Sequence, residues 1–323
     1  MVNNMLLHAL EHAQSVAIAG HMRPDGDCVG SCMGLYHYIR TWYPQIDVDV
    51  YLEEIPDSFH FIQRTEEISH QLKEKDYDLF VALDCGDSKR LGFAEEAFST
   101  AKETICVDHH ISNDAYGVNN YIKPDASSTS ELVYELLDKE KITKEVAECL
   151  YLGIVHDTGV FQYTCTAPQT MIVAADLMSK GIAYSRIITD TFYEKTYVQN
   201  QILGRALLES VLFMEGQCIA SVITKETLDF YGATPKDLEG IVSQLRVTKG
   251  VKVAIFMYET GSGEYKISLR SDSDVDVSKI ASHFGGGGHQ KAAGITMKGS
   301  ANDIIHSISE KIAAALAEVQ EEQ

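Results

Sequence analysis

Three apolar runs with strand character each end on residues able to hold a metal ion. The first lies in Ser15-Val-Ala-Ile-Ala-Gly-His-Met-Arg-Pro-Asp-Gly-Asp-Cys-Val-Gly-Ser31. There Val16 to Ala19 deliver His21, Asp25 and Asp27 into a turn, and Gly30 and Ser31 open a helical pattern. Tyr77 to Leu83 ends at Asp84, and Thr104 to Val107 ends at Asp108-His109-His110. Strands alternating with helical patterns predict an α/β domain built on a parallel sheet with helices on both faces. Ligands of such sheets bind outside the carboxyl ends of the strands. The pattern therefore predicts a metal-dependent hydrolytic site along one sheet edge.

The remaining elements organise around that edge. A helix is expected over 28–42, with Gly30, Ser31 and Gly34 in its first turns, and a strand over Asp47 to Leu52. Ser128-Thr129-Ser130-Glu131 has the form of a capping box and should start a helix running to Asp138; a substrate contact by these hydroxyls is the lesser reading. Helical patterns over 143–155 and 168–179 flank His156-Asp157-Thr158-Gly159, read as a functional loop. The stretch 185–213 shows no clear strand and ends in a helical segment, Gln199 to Leu212. From Gln217 the character changes. Strands at Cys218 to Thr224, Val251 to Glu259, Glu264 to Leu269 and Ile295 to Lys298 alternate with helical segments near 225–231, 235–246, 276–284 and 301–318. This predicts a smaller α+β domain with an antiparallel or mixed sheet. The expected division is a catalytic domain over 1–185, a helical linker over 186–213 and a substrate-binding domain over 214–323.

Charge narrows the partners. With 27 basic against 47 acidic residues and a formal net charge of −20, the chain lacks the broad basic surface needed to coat long nucleic acid. A small phosphorylated substrate remains compatible, because bound cations invert the local field. The 7 cysteines include no CxxC pair, and several sit in apolar stretches, so reduced buried thiols are expected. No stretch has the form of a signal peptide or reaches membrane-spanning length, which predicts a cytoplasmic protein with no membrane partner. Oligomeric state stays open, a homodimer included.

Taken singly, each candidate has a plain reading: His21 at a strand end, Asp25 and Asp27 in an Asx turn, Asp157 in a loop. As a set, His21, Asp25, Asp27, Asp84, His109 and Asp157 provide two imidazoles and four carboxylates. Imidazole mixed with hard oxygen donors suits manganese, with magnesium, iron or zinc as alternatives. Six ligands exceed what one catalytic ion needs. They suit two divalent ions sharing a carboxylate, about 3.5–4 Å apart, which together activate a water and clamp phosphate oxygens. The run Gly285 to Gly288, followed by His289 and Ala292-Ala293-Gly294, reads as a backbone nest for a phosphate rather than a linker.

His21-x-x-Pro24-Asp25-Gly26-Asp27-x-x-Gly30-Ser31, Asp84, Asp108-His109-His110 and Asp157-Thr158-Gly159 resemble the four motifs of the DHH phosphoesterase superfamily. Ser268-Leu269-Arg270-Ser271 and Gly285-Gly286-Gly287-Gly288-His289-x-x-Ala292-Ala293-Gly294 resemble its DHH-associated domain. Domain order and length are similar to the NrnA-type oligoribonucleases and phosphatases of 3′-phosphoadenosine 5′-phosphate (pAp). The resemblance implies that His21 and Asp25 hold one manganese ion and Asp27, His109 and Asp157 the other, with Asp84 bridging. It implies a catalytic set of Asp84, of His110 orienting or protonating a phosphate oxygen, and of Asp108 fixing an imidazole tautomer. Arg270 and His289 would join Gly286, Gly287 and Gly288 in gripping a terminal phosphate or nucleotide, with Ser271 a weaker candidate. Tyr116 and Phe161 are open to base stacking or to core packing. One departure stands out: His156 precedes the Asp157-Thr158-Gly159 motif where a small hydroxylic residue is frequent.

The expected activity is metal-dependent hydrolysis of short oligoribonucleotides to mononucleotides and of pAp to AMP. Rival readings are a phosphodiesterase for cyclic or linear dinucleotides (c-di-AMP, pApA) and a catalytically silent nucleotide sensor.

Overall fold

The computed structural model describes residues 4–261, 263–272 and 275–321; the outer ends of the two expected domains, 1–3 and 322–323, lie outside the described residues. The chain forms two compact units, Met1–Glu194 and Lys195–Gln323.

The first unit contains α1 (Met5–His12), β1 (Ser15–Ala19), α2 (Gly26–Trp42), β2 (Asp47–Tyr51), β3 (Leu79–Leu83), α3 (Glu95–Thr100), β4 (Glu103–Asp108), β5 (Asn119–Ile122), α4 (Thr129–Leu136), α5 (Lys144–Asp157), α6 (Pro168–Ser179) and α7 (Tyr184–Ile188). Its sheet has the order β2-β1-β3-β4-β5 and every pairing is parallel. Alternation along the strands feeds two cores. Val16, Ile18, Val81 and Val107 pack with α2, α4 and α5 on one face. Ala17, Ala19, Phe80 and Ala82 pack with Leu91, Ala97 and Phe98 on the other. Burial on both faces is why these strands read as nearly continuous apolar runs. β5 has no such signature. Its residues Asn119-Asn120-Tyr121-Ile122 are only half-buried at the sheet edge, so pairing with β4 defines the strand.

Two helices of the first core approach closely. A Cβ at Gly30 of α2 would lie 2.5 Å from the Cys149 carbonyl oxygen and 2.8 Å from the Gly153 nitrogen of α5. The end of α5 corrects the sequence reading: His156 and Asp157 are helical, not part of a loop. Thr158 extends the hydrogen bonding, its N–H donating to Ile154 at 3.1 Å and its hydroxyl to the same carbonyl at 2.6 Å. The chain turns only afterwards, at Gly159 with φ +55°.

The second unit contains α8 (Tyr197–Leu208), β6 (Val211–Phe213), β7 (Cys218–Ile223), α9 (Lys225–Tyr231), α10 (Ile241–Arg246), β8 (Val253–Gly261), β9 (Glu264–Ser271), α11 (Val277–His283), β10 (Gly287–His289), β11 (Ala292–Lys298) and α12 (Ala301–Glu321). The sheet order is β10-β11-β9-β8-β7-β6. It is mixed: β7–β8 is parallel, the other pairs antiparallel. Ile255, Ile267 and Leu269 face α11 and α12, while Ala254, Phe256 and Ile219 face α8, α9 and α10.

Three expectations for this region change. The segment expected to be a linker is divided between the units, because α8 buries Ile202 and Ala206 in the second unit's core. It also contains a strand, β6, whose exposed Val211 and Leu212 carry no alternating signature. The single helix expected over 235–246 is a 3₁₀ turn, Pro235–Leu238, followed by α10, because Gly240 at φ +84° breaks the backbone between them. Among the described residues, no helix is long and apolar enough to cross a membrane.

Because Gly30 sits against backbone rather than a movable side chain, Gly30→Ala should destabilise the first unit by about 2 kcal/mol, the scale of core overpacking. Urea denaturation monitored by far-UV circular dichroism measures this.

Candidate active site

Strand order reverses between β1 and β3, and the candidate site opens at that switch point. His21 follows β1. Its Nδ1 lies 2.9 Å from the Met22 carbonyl, which assigns the proton to Nδ1 and leaves Nε2 to face the site. Nε2 is 3.4 Å from Asp84 Oδ2 and 3.6 Å from Asp25 Oδ1. Asp25 is also the N-cap of α2, its Oδ1 accepting from the amides of Asp27 (3.2 Å) and Cys28 (3.1 Å). Its plain and functional readings therefore coexist. Asp84, at the end of β3, adopts a left-handed conformation, φ +53°, which is uncommon for a residue with a side chain.

The other half of the cluster gathers on the opposite oxygen of Asp84. His109 Nε2 lies 3.6 Å from Asp84 Oδ1 and 3.0 Å from Asp157 Oδ2. Asp27, His109 and Asp157 offer ligand atoms within 4.8 Å of one another. Asp27 is fully buried, and its carboxylate accepts from the amides of Thr129 (2.6 Å) and Ser130 (2.8 Å) at the start of α4. A helix N-terminus favours a negative charge. All six proposed ligands thus come together. Beside them, Asp108 accepts from His110 Nδ1 at 2.7 Å, from the His109 amide at 2.9 Å and from Asn113 at 2.6 Å. This turns His110 Nε2 away from Asp108.

The electrostatics show what the cluster lacks. Burial, reinforced by the Asp84 and Asp157 charges, pushes the Asp27 carboxyl well above its ordinary range. Burial likewise pushes Asp157 up. Burial opposes charge on the histidines, but the carboxylates outweigh it: His21 is raised to about 11 by Asp25 and Asp84, and His109 to about 10 by Asp157, Asp27 and Asp84. Asp108 raises His110 in the same direction. Asp27 and Asp157, pushed toward protonation, and histidines raised by the carboxylates around them describe a pocket short of positive charge. A divalent cation supplies it, so the donor set fits the metal that the motifs imply.

Sequence reasoning passed over several supporting groups. The capping-box pattern assigns Thr129 and Ser130 to the helix start; Ser128 does cap α4 through the Glu131 amide, but Thr129 and Ser130 turn the same helix end onto Asp27. The Thr129 hydroxyl also donates to Asp84 Oδ1 at 3.2 Å. The Glu131 carboxylate does not complete the box, accepting instead from Ser127 and from Thr170 at 2.8 Å. The Cys28 thiol is brought within ligand distance of His21 and Asp84, although burial keeps it protonated. Only tertiary proximity reveals these roles. Tyr116 resolves toward packing, its ring edge-on to Phe98 at 5.3 Å and its hydroxyl donating to the Cys85 carbonyl at 2.7 Å. Phe161 packs against the first core, near Tyr151.

In the second unit, register decides which candidates share a face. His289 lies opposite Ala292, which lies opposite Arg270. Directly opposed residues project to one side of a sheet, so Arg270 and His289 flank Ala292 across two strand spacings, about 9.6 Å. The neighbouring row on the same side is Gly287, Gly294 and Ser268. The result is a floor of small residues with a cation at one end and an imidazole at the other. Burial and the nearby Arg246 charge lower the pKa of Arg270, a setting that favours an incoming anion. Two expectations are corrected. Ser271 projects to the opposite, core side and is only 3 % exposed. The glycines form a hairpin rather than a nest: the Gly285 and Gly286 amides are bonded to Ser282 and Ala281 at the end of α11. Close approach of β11 explains two of them, since a Cβ on Gly286 would collide with the Gly294 carbonyl and one on Gly288 with the Ala292 carbonyl, while Gly285 adopts φ +75°.

Comparison with known proteins agrees with this architecture. Residues 15–154 match the DHH family, N-terminal domain, and residues 215–322 match the DHHA1 domain. The chain is 29 % identical over 289 residues to the bifunctional oligoribonuclease and PAP phosphatase NrnA of Thermus thermophilus, covering 88 % of this chain and 84 % of that protein. It is 27 % identical to the Bacillus subtilis protein of the same name, covering 90 % and 92 %. A crystal structure of an exopolyphosphatase-related protein from Bacteroides fragilis superimposes with a TM-score of 0.86 at 26 % identity, covering 98 % of this chain and 95 % of that one. The chain belongs to the DHH phosphoesterases: it is a hydrolase with an N-terminal DHH domain and a C-terminal DHHA1 domain that resembles NrnA.

Proposed function

We propose that the protein is a manganese-dependent phosphoesterase that hydrolyses short oligoribonucleotides to mononucleotides and pAp to AMP. The observation that carries this reading is Asp84, whose two oxygens face separate half-clusters, His21 with Asp25 and His109 with Asp27 and Asp157. His21 and Asp25 would hold one ion, Asp27, His109 and Asp157 the other, and Asp84 both. Two bound ions supply Lewis-acid stabilisation of phosphate charge and lower the pKa of water. The names of the relatives from Thermus thermophilus and Bacillus subtilis support the substrate class.

The chain's own groups complete the chemistry. Asp108 raises the pKa of His110 and engages its Nδ1, and His110 would give a proton from Nε2 to a phosphate or leaving oxygen. Asp108 is a positioning residue, held in turn by Asn113. Arg270, with its planar fork, and His289 would bind a nucleotide phosphate on the small-residue floor of the second unit. All 7 cysteines are free thiols, which fits a reducing compartment, so we place the protein in the cytoplasm.

The decisive experiment supplies the purified protein with manganese and offers it pAp, a diribonucleotide, a linear dinucleotide and a cyclic dinucleotide in parallel. Turnover of pAp and the diribonucleotide is expected; exclusive turnover of the cyclic compound would replace the proposal. Asp84→Ala should reduce hydrolysis to background with the far-UV spectrum retained, and unchanged turnover would refute the two-ion assignment. His110→Ala should lower kcat by roughly 10²–10⁴-fold, the range for a lost general acid, while manganese content stays at the wild-type level. Arg270→Ala should act mainly on KM for pAp, raising it roughly tenfold or more, because charge-assisted hydrogen bonds contribute about 1.5–3 kcal/mol.

A further inference from the structure

His156, the residue that departs from the usual form of its motif, stands where the last turn of α5 meets the Asp25-Gly26-Asp27 segment. A Cβ on Gly26 would fall onto the imidazole. Its three nearest atoms all belong to His156: Cγ, Cβ at 2.5 Å and Cδ2 at 2.8 Å. Gly26 is not among the residues with positive φ, so space rather than backbone conformation excludes a side chain there.

The other side of the ring is equally occupied. Nε2 lies 2.9 Å from the Thr191 hydroxyl. That hydroxyl donates its own hydrogen to the Ile187 carbonyl at 2.7 Å, so it accepts from His156 Nε2–H. Phe59 and Phe192 meet the ring edge-on at 5.1 and 5.6 Å. Thr191 and Phe192 belong to a π-helical turn, Thr189–Tyr193, closed by the Glu194 amide on the Thr189 carbonyl at 2.7 Å. Such turns concentrate at functional sites. One ring is therefore wedged between the segment carrying Asp25 and Asp27 and a braced turn, and its own residue is covalently next to Asp157.

We propose that His156 is a positioning residue for the candidate metal centre: its side chain sets the spacing between the Asp25–Asp27 segment and Asp157, and position 26 is glycine because that side chain, Cβ and ring together, needs the space. The inference rests on the metal-dependent reading above. Its signature is coupling of opposite sign. Gly26→Ala alone crowds the His156 side chain and His156→Gly alone removes the wedge, Cβ included, but together the new methyl occupies vacated space.

The test titrates each protein with manganese alone, reading unbound manganese by electron paramagnetic resonance and the melting temperature in parallel. Each single variant should weaken manganese binding roughly 10–100-fold, the range for groups that orient metal ligands. The double variant should bind more tightly than either single. Additive losses would overturn the wedge. Should Gly26→Ala fail to fold, His156→Phe and Thr191→Val provide the second reading. Each should weaken manganese binding severalfold without lowering the melting temperature, and the pair should do no more than one alone; wild-type affinity in both would overturn the proposal. Wild-type protein that takes up no manganese would overturn the metal-dependent reading itself. Equal uptake by wild type and variants would overturn the wedge alone.

Discussion

The first unit is built around an electrostatic problem: Asp27, fully buried, shares a pocket with two other carboxylates. Burying an anion is costly unless it is hydrogen-bonded and paired with positive charge. The fold answers with the amide end of α4, which gives Asp27 two backbone hydrogen bonds, and with His109, whose charge opposes the upward push on that carboxyl. The packing follows from the same need. Gly30 lets α2 approach α5, and Gly153 leaves room for Asp27 and Ser130, since a Cβ there would lie 2.6 Å from Asp27 Oδ1. The cation deficit that remains is what links the fold to divalent-metal chemistry.

The second unit solves a different problem with different means. The anion recognition proposed for it would need few atoms, held flat and open. β10 and β11 supply small residues on one side of the sheet, and register places Arg270 and His289 at the two ends of one row. The opposite side of the same strands carries Leu269, Ala293 and Ile295 into the core. One alternation therefore fixes both the stability of this unit and the chemistry of its exposed face.

Much of this was legible in the chain because the strongest signals are local. β1, β3 and β4 are buried on both faces and announce themselves as apolar runs, and the Asp and His residues that follow them need no distant partner to be recognised. The elements that escaped notice are those defined by their neighbours. β5 and β6 are short edge strands whose residues are half-buried or exposed, so hydrogen bonding to β4 and β7 defines them. The end of α5 was misread because Thr158 continues the helical bonding through a residue pair that resembles a loop. The glycine run was legible as special, but not as a hairpin, because close contact with β11 is a tertiary fact.

By itself, then, the sequence determined the alternation of the buried strands with helices, the sheet edge that collects carboxylates and imidazoles, and the identity of the six candidate ligands, since these depend on local periodicity and on residue chemistry. Only the tertiary structure decided which oxygen of Asp84 faces which histidine, that the α4 terminus grips Asp27, that Ser271 turns away from Arg270, and that Gly26 faces the His156 ring. Each of these depends on the direction of a side chain across a contact distant in sequence, and spacing along one chain carries no record of such directions.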